Sequence, residues 1–260
     1  MRLLHTSDWH LGRPLHGFSL LDHQAVVLEA LVDAVRTESI DAVVVAGDVY
    51  DRSVPPLEAV ALFSDTLARL RAAGATVVVI SGNHDSATRL GFGREVLAAG
   101  GVHVATDIAR AGTPVMIVGR TGAPVAIYPI PYLEPEAARH ALAKPDARSH
   151  DALLRAALAR CRCDLATRGD VRSIAVAHAF VAGGAACSSE KALVVGGSAE
   201  VGVGAFRGFD YVALGHLHGR QTFGDGRVRY SGSPLAYSFD EASHIKGAWI
   251  VDLAADGVRS

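Results

Sequence analysis

A four-layer α/β fold, α/β/β/α, with two mixed sheets packed face to face between helices, is predicted by three features of the 260-residue chain. Apolar β-branched runs alternate with segments of helical period from residue 2 to residue 80. The run over 41–46 reads as continuously apolar after its leading Asp41, as in a strand covered on both faces. Asp, Asn and His residues gather where such runs end, which is where α/β sheets present their chemistry.

In chain order, residues 2–7 read as a short buried strand leading into Asp8. A helix follows over 20–38, with Leu28, Leu31 and Val35 on one face, and a strand over 41–46. Helical period returns over 57–71 through Val60, Phe63, Leu67 and Leu70, with Pro55-Pro56 just ahead. Residues 75–80 form another strand, ended by Ser81-Gly82. This β-α-β-α-β alternation implies a parallel sheet with right-handed crossovers. Short strands are expected at 102–104, 115–118 and 125–130, and helices at 134–142 and 149–167. A strand over 173–177 ends at His178, and one over 211–214 ends at Gly215. Residues 220–223 and 227–231 flank Gly224-Asp225-Gly226 as a hairpin. The Gly-, Ala- and Ser-rich stretch 183–204 reads as a loop, and 247–253 as a last strand.

The length suits one large α/β domain over 1–260. No apolar stretch reaches about 18 residues, so no spanning helix is expected. The amino terminus enters a charged motif rather than a signal peptide. Three cysteines, Cys161, Cys163 and Cys187, are too few and too odd for a disulfide framework. Cys161-Arg162-Cys163 has the wrong spacing for a zinc knuckle and is placed on a helix surface. Together these features indicate a cytoplasmic protein. Net charge of −2 and a pI near 6.6 lack the basic bias of a protein that grips DNA alone. Arg13, Arg52, Arg89 and Arg94 lie near the motifs, equally readable as a solvated rim.

Five strand ends terminate in ligand-type residues. Asp8 and His10, two apart, share a face if the chain there is extended. Asp48 follows Gly47, and its two oxygens suit it to bridge cations roughly 3.5–4 Å apart. Asn83 offers a neutral oxygen after Gly82, and His178, His216 and His218 close two further strands. Imidazole mixed with carboxylate and amide oxygen suits Mn²⁺, Fe or Zn²⁺ better than Mg²⁺ or Ca²⁺. Two such cations suit phosphoester chemistry, because they neutralise the anionic ester and acidify water. His84, pointing away from the metals, is left to stabilise the transition state or protonate the leaving oxygen. Asp85 either orients an imidazole or caps a helix starting at 86–88. His5, His16, His23, His103, His140, His150 and His244 lack this setting and are read as structural or solvent-facing.

Asp8-x-His10, Gly47-Asp48-x-x-Asp51, Gly82-Asn83-His84-Asp85, His178 and Gly215-His216-x-His218 together resemble the calcineurin-like metallophosphoesterases. Residues 7–12, 46–51, 81–85, 211–218 and Arg229-Tyr230-Ser231-Gly232-Ser233-Pro234 resemble, more narrowly, the bacterial SbcD (Mre11-type) nucleases. The resemblance spans residue 1 to about 253. It implies a manganese-dependent deoxyribonuclease, acting as a 3′–5′ exonuclease on duplex ends and an endonuclease on single strands. Hydrolysis would run through a two-metal bridging hydroxide, in double-strand break repair and recombination.

Carried over by position, one metal falls to Asp8, His10, Asp48 and His218, and the other to Asp48, Asn83, His178 and His216. The resemblance makes His84 the catalytic histidine. Asp51 stands where archaeal and eukaryotic relatives carry a histidine, and its implied role is support of His84. Implied partners are DNA, an SMC-like ATPase (SbcC, Rad50 type) and a second copy of the chain. Helices over 20–38 and 57–71 are the homodimer candidates, although burial explains their pattern equally. Relatives continue into a DNA-capping domain and an ATPase-docking segment, both expected to be absent from 260 residues. The rival readings are a phosphodiesterase for a small substrate and a non-catalytic binding subunit.

Overall fold

The computed structural model describes residues 1–120, 122–190, 200–254 and 257–259. Its amino-terminal part runs β1 (Arg2–Thr6), a small hairpin β2–β3 (Pro14–Leu15 and Phe18–Ser19), α1 (Leu21–Thr37), β4 (Ala42–Ala46), α2 (Leu57–Ala72) and β5 (Thr76–Ile80). Two short helices, α3 (Ala87–Leu90) and α4 (Arg94–Ala99), precede β6 (Val102–Ala105), β7 (Val115–Val118) and β8 (Pro124–Pro129). Then come α5 (Pro135–Ala141), α6 (His150–Leu165), β9 (Arg172–His178), β10 (Phe180–Val181), β11 (Glu200–Val201) and β12 (Tyr211–Gly215). The chain closes with β13 (Gln221–Phe223), β14 (Val228–Tyr230), β15 (Trp249–Ala254) and β16 (Gly257–Arg259).

Two six-stranded sheets result, ordered β16-β15-β1-β4-β5-β6 and β13-β14-β12-β9-β8-β7. In the first, β1, β4, β5 and β6 are parallel while β15 runs antiparallel beside β1. In the second, β8, β9, β12 and β14 are parallel and the edge strands β7 and β13 antiparallel. Both sheets are therefore mixed, and the hairpin expected at 220–231 is present as β13–β14.

The layers follow from strand alternation. In β4, Val43 and Val45 pack toward α1 and α2, whereas Ala42, Val44 and Ala46 face the second sheet. In β9, Ile174 and Val176 face the first sheet, whereas Ala175 and Ala177 meet Leu154, Ala157 and Leu158 of α6. Every residue of β4 is buried, and each fully buried valine contributes about 1.5–3 kcal/mol of hydrophobic stabilisation. The continuous apolar run is thus a strand whose two faces both lie in core.

Several sequence expectations are corrected. Val60 is 41% exposed; the buried stripe of α2 keeps Phe63, Leu67 and Leu70 and adds Ala59 and Thr66 in place of Val60. Cys161 is buried in the core face of α6, and of the pair only Cys163 lies on the surface. Within 183–204, Glu200–Val201 pairs with β10 instead of looping free, and residues 191–199 fall outside the described residues. Helical period did not mark α3 and α4, which are too short to show it. Among the described residues no helix is long and apolar enough to cross a membrane.

Candidate metal centre

Beyond the end of β1 the backbone leaves strand geometry. Asp8 (φ 54°) and His10 (φ 42°) are both left-handed, so their shared face comes from two tight turns and not from an extended chain as expected. Hydrogen bonds from Asp8 N, His10 N and Leu11 N to the carbonyls of Gly47, Asp48 and Val49 lock the two loops together. Trp9, between the two ligands, is fully buried and donates its Nε1 proton to Thr6 Oγ1 at 2.9 Å. Gln24 of α1 pins the same loop, donating from Nε2 to Trp9 O and His10 O while Oε1 accepts from Gly12 N.

The glycine of each motif makes room for the side chains that meet here. A Cβ on Gly82 would lie 2.1 Å from Asp48 Oδ1, and one on Gly215 would lie 2.0 Å from Ala46 O. Gly47 (φ 92°) combines a left-handed backbone with close approach to the His178 ring.

Asp48 joins two halves of the site. Its Oδ2 is 3.6 Å from His10 Nε2 and 3.4 Å from His178 Nε2, while Oδ1 accepts from His84 N at 2.9 Å. On one side, His10 Nε2 and His218 Nε2 stand 3.1 Å apart, and one ligand atom each from Asp8, His10 and His218 falls within 4.8 Å of the others. On the other side, His178 Nε2 is 2.9 Å from Asn83 Oδ1, and the His216 ring meets His178 edge-on at 5.4 Å. All seven residues expected to hold metal thus converge, with His84 against His10 at 4.7 Å between ring centroids.

The donor set fits divalent cations. His178 Nδ1 donates to Ala46 O at 2.9 Å, so a neutral His178 turns its Nε2 lone pair on Asn83 Oδ1 and Asp48, with no proton between acceptors. A cation resolves that conflict; so does a proton. Burial alone lowers the pKa of His178, but the charge and hydrogen bond of Asp48, with Asp8 and the Ala46 carbonyl, outweigh it and raise it to about 9. Burial opposes charge on Asp48 too, yet His178, His10 and His84 hold its carboxyl well below the usual range. Burial keeps His10 and His216 neutral, which is the ligating form, and leaves His10 Nδ1 without a hydrogen-bond partner.

This proton sets a pH signature. In the metal-free chain the folded pKa of His178 exceeds its unfolded value near 6.5, so its stabilising contribution is full below about 6.5 and lost as pH rises to about 9. Asp85, pushed up to about 7 by burial and by Asp48, adds the same sign over the lower part of that window. A cation bound by His178 would have to displace that proton, so its apparent affinity should rise over the same range. The expected result is a metal-free melting temperature that falls from pH 6.5 to 9 while the stabilisation by added Mn²⁺ grows. Parallel melting curves would overturn it.

Two expectations change around His84. Asp51 braces it through its backbone, its carbonyl accepting from His84 Nδ1 at 2.7 Å. The Asp51 carboxylate instead lies 3.6 Å from His10 Nδ1 and 3.6 Å from Arg13 Nη1. Asp85 neither orients an imidazole nor caps a helix. Ser86 is the N-cap of α3, and Asp85 accepts from the backbone N–H groups of Val49, Tyr50 and Gly82, tying the Asp48 loop to the Asn83 loop. Arg13 is not rim: Nη2 donates to Ser189 O at 2.7 Å and its guanidinium stacks on Tyr237.

Sequence reading missed the residues that aim His218. Glu241, fully buried, contacts His218 Nδ1 at 3.2 Å and also bonds Ser189 Oγ and Lys246 Nζ. Burial opposes its charge, but His218, Lys246 and Ser189 lower its pKa far below the usual carboxylate value. Glu190 accepts from His218 N. The only signal was the 229–234 block: Ser233 N donates to His218 O, and Ser231 Oγ meets Ser7 Oγ at 2.7 Å.

A family model described as calcineurin-like phosphoesterase matches residues 1–220. The fold is similar to the crystal structure of TT1561 of Thermus thermophilus, with a TM-score of 0.52 and 13% sequence identity over 89% of each chain. At that identity the likeness concerns the fold alone.

Proposed function

The chain belongs to the calcineurin-like phosphoesterase family of metal-dependent phosphoester hydrolases, and from that premise we propose that it is a manganese-dependent DNA nuclease of the SbcD type. The observation that carries a two-cation reading is Asp48 Oδ2, set between His10 Nε2 and His178 Nε2 at 3.6 and 3.4 Å. Asp8, His10, Asp48 and His218 would hold one ion, and Asp48, Asn83, His178 and His216 the other. When bound, two divalent cations neutralise a phosphodiester and acidify water.

The protein's own groups do the rest. Glu241 and Ser189 fix the His218 ring, Ala46 O fixes that of His178, and Asp51 O fixes the His84 tautomer so that Nε2 is left for substrate. The choice of DNA rests on the 229–234 block, which resembles the SbcD nucleases and braces both Ser7 and His218 here. With it go an SMC-like ATPase partner, a homodimer, a cytoplasmic location and a role in double-strand break repair.

The test is the purified chain with Mn²⁺ on duplex DNA, hairpin DNA and bis-p-nitrophenyl phosphate. Cleavage of either DNA is the expected result. Turnover of the small diester with both DNAs intact, also after addition of an SbcC-type ATPase, would overturn the nuclease reading in favour of a small-substrate phosphodiesterase.

A further inference from the structure

Two residues past His218 the chain lines an open cavity of about 480 Å³, a size typical of small-ligand sites. Its walls include Ala185, Arg220, Gln221, His244, Ile245 and Trp249, and among the described residues no aspartate or glutamate lines it. The Arg220 guanidinium lies 3.9 Å from the Trp249 ring centroid, and Trp249 is itself fixed by donation from Nε1 to Tyr230 O at 3.0 Å. Arg220 Nε is buried without a hydrogen-bond partner, and so is His244 Nδ1. Buried polar atoms left unpaired are costly, and an arginine held flat by stacking is preorganised for a tetrahedral oxyanion. The Arg220 guanidinium, with the His244 imidazole and the Gln221 amide in the same lining, brings N–H donors and a positive charge to a cavity with no acid among the described lining residues, which suits anionic oxygen.

The cavity also shares its walls with the mount of His218. Gln221 clamps Ala185 through both its amide atoms, at 2.7 and 2.8 Å. The loop that starts at Ala185 supplies Ser189 and Glu190 to His218. The segment holding His244 supplies Glu241 and Lys246, the latter donating to His218 O at 2.9 Å. A group bound here sits on the same three segments as a metal-facing histidine.

We propose that this cavity is a phosphate subsite, built to take a phosphate of the nucleic-acid strand beside the diester being cleaved. The strand as the source rests on the nuclease reading above; free phosphate offers the same chemistry. The chain has two tryptophans, and Trp9 is 1% exposed, so ligand-induced changes in indole emission report on Trp249.

The full chain, in chelator so that no metal holds phosphate, is titrated with inorganic phosphate and with a short single-stranded oligodeoxynucleotide. Saturable emission changes are expected, and Arg220→Gln should weaken binding by about tenfold or more. Arg220→Lys keeps the charge and loses the stacked plane, so it should fall between; His244→Gln should weaken binding severalfold. Melting temperatures confirm that each variant is folded. A response to the oligonucleotide supports the strand as source, and a response to inorganic phosphate alone supports free phosphate. No response to either, or unchanged affinity in folded Arg220→Gln, overturns the subsite. If phosphate binds while the Mn²⁺-loaded chain turns over the small diester and leaves DNA intact, also with an SbcC-type ATPase added, the nuclease reading fails and the subsite stands.

Discussion

Replacing Asp48 by asparagine is expected to lower phosphodiester turnover on the order of a thousandfold or more, and to remove at least one ion from the metal stoichiometry. Asparagine keeps the shape and still accepts from His84 N, the bond Asp48 Oδ1 makes at 2.9 Å. It loses the anionic Oδ2 that faces His10 and His178, and with it the one oxygen that both halves of the site share. The metal-free variant should also lose the proton on His178, because the charge and hydrogen bond of Asp48 oppose the burial that otherwise keeps the ring neutral. Calorimetric titration with Mn²⁺ and turnover of bis-p-nitrophenyl phosphate check the two effects separately. Near-normal turnover with full metal occupancy would show that Asp48 is not the shared ligand.

His84→Ala should behave differently. Loss of a positioned proton-transfer group lowers turnover by about 10²–10⁴-fold. Metal affinity should stay near that of the unaltered chain, since the His84 ring, although within 4.8 Å of ligand atoms of His10 and Asp48, has its Nδ1 taken up by Asp51 O. The loss should be greatest for diesters with a poor leaving group and smaller for p-nitrophenyl esters, whose leaving oxygen needs no proton. Comparable losses on both substrates together with weakened metal binding would place His84 among the ligands.

The strand–helix alternation and the polar residues that converge at the strand ends were legible because both obey short-range rules. An unbroken run such as Ala42–Ala46 has to be covered on both faces, and a Gly-Asp or Gly-Asn at its end leaves little room for any larger neighbour. Long-range supports were not legible. Glu241 reaches His218 from a 3-10 turn 23 residues away, and nothing in Phe239-Asp240-Glu241 distinguishes it from a solvated acidic turn. The reach of Asp85 to three backbone N–H groups likewise depends on how two loops meet. Alternation also misled at Asp8-Trp9-His10, where side chains two apart share a side through left-handed turns. At Val60 one member of an otherwise correct helical stripe was misread, because Ala59, a weak apolar marker, takes the buried place beside it and Thr66 completes the face.

Four non-glycine residues at the centre, Asp8, His10, Asp48 and His216, hold positive φ angles between 42° and 110°. Each such residue costs on the order of 1 kcal/mol against a relaxed backbone. Glycine, or asparagine at the milder angles, would relieve the backbone at these four places. A laboratory selection for heat resistance alone, run without metal, would therefore be drawn first to the candidate ligands themselves. Its survivors would be sturdier proteins that had forgotten their chemistry, and any stabilisation campaign on this scaffold has to hold those four positions fixed.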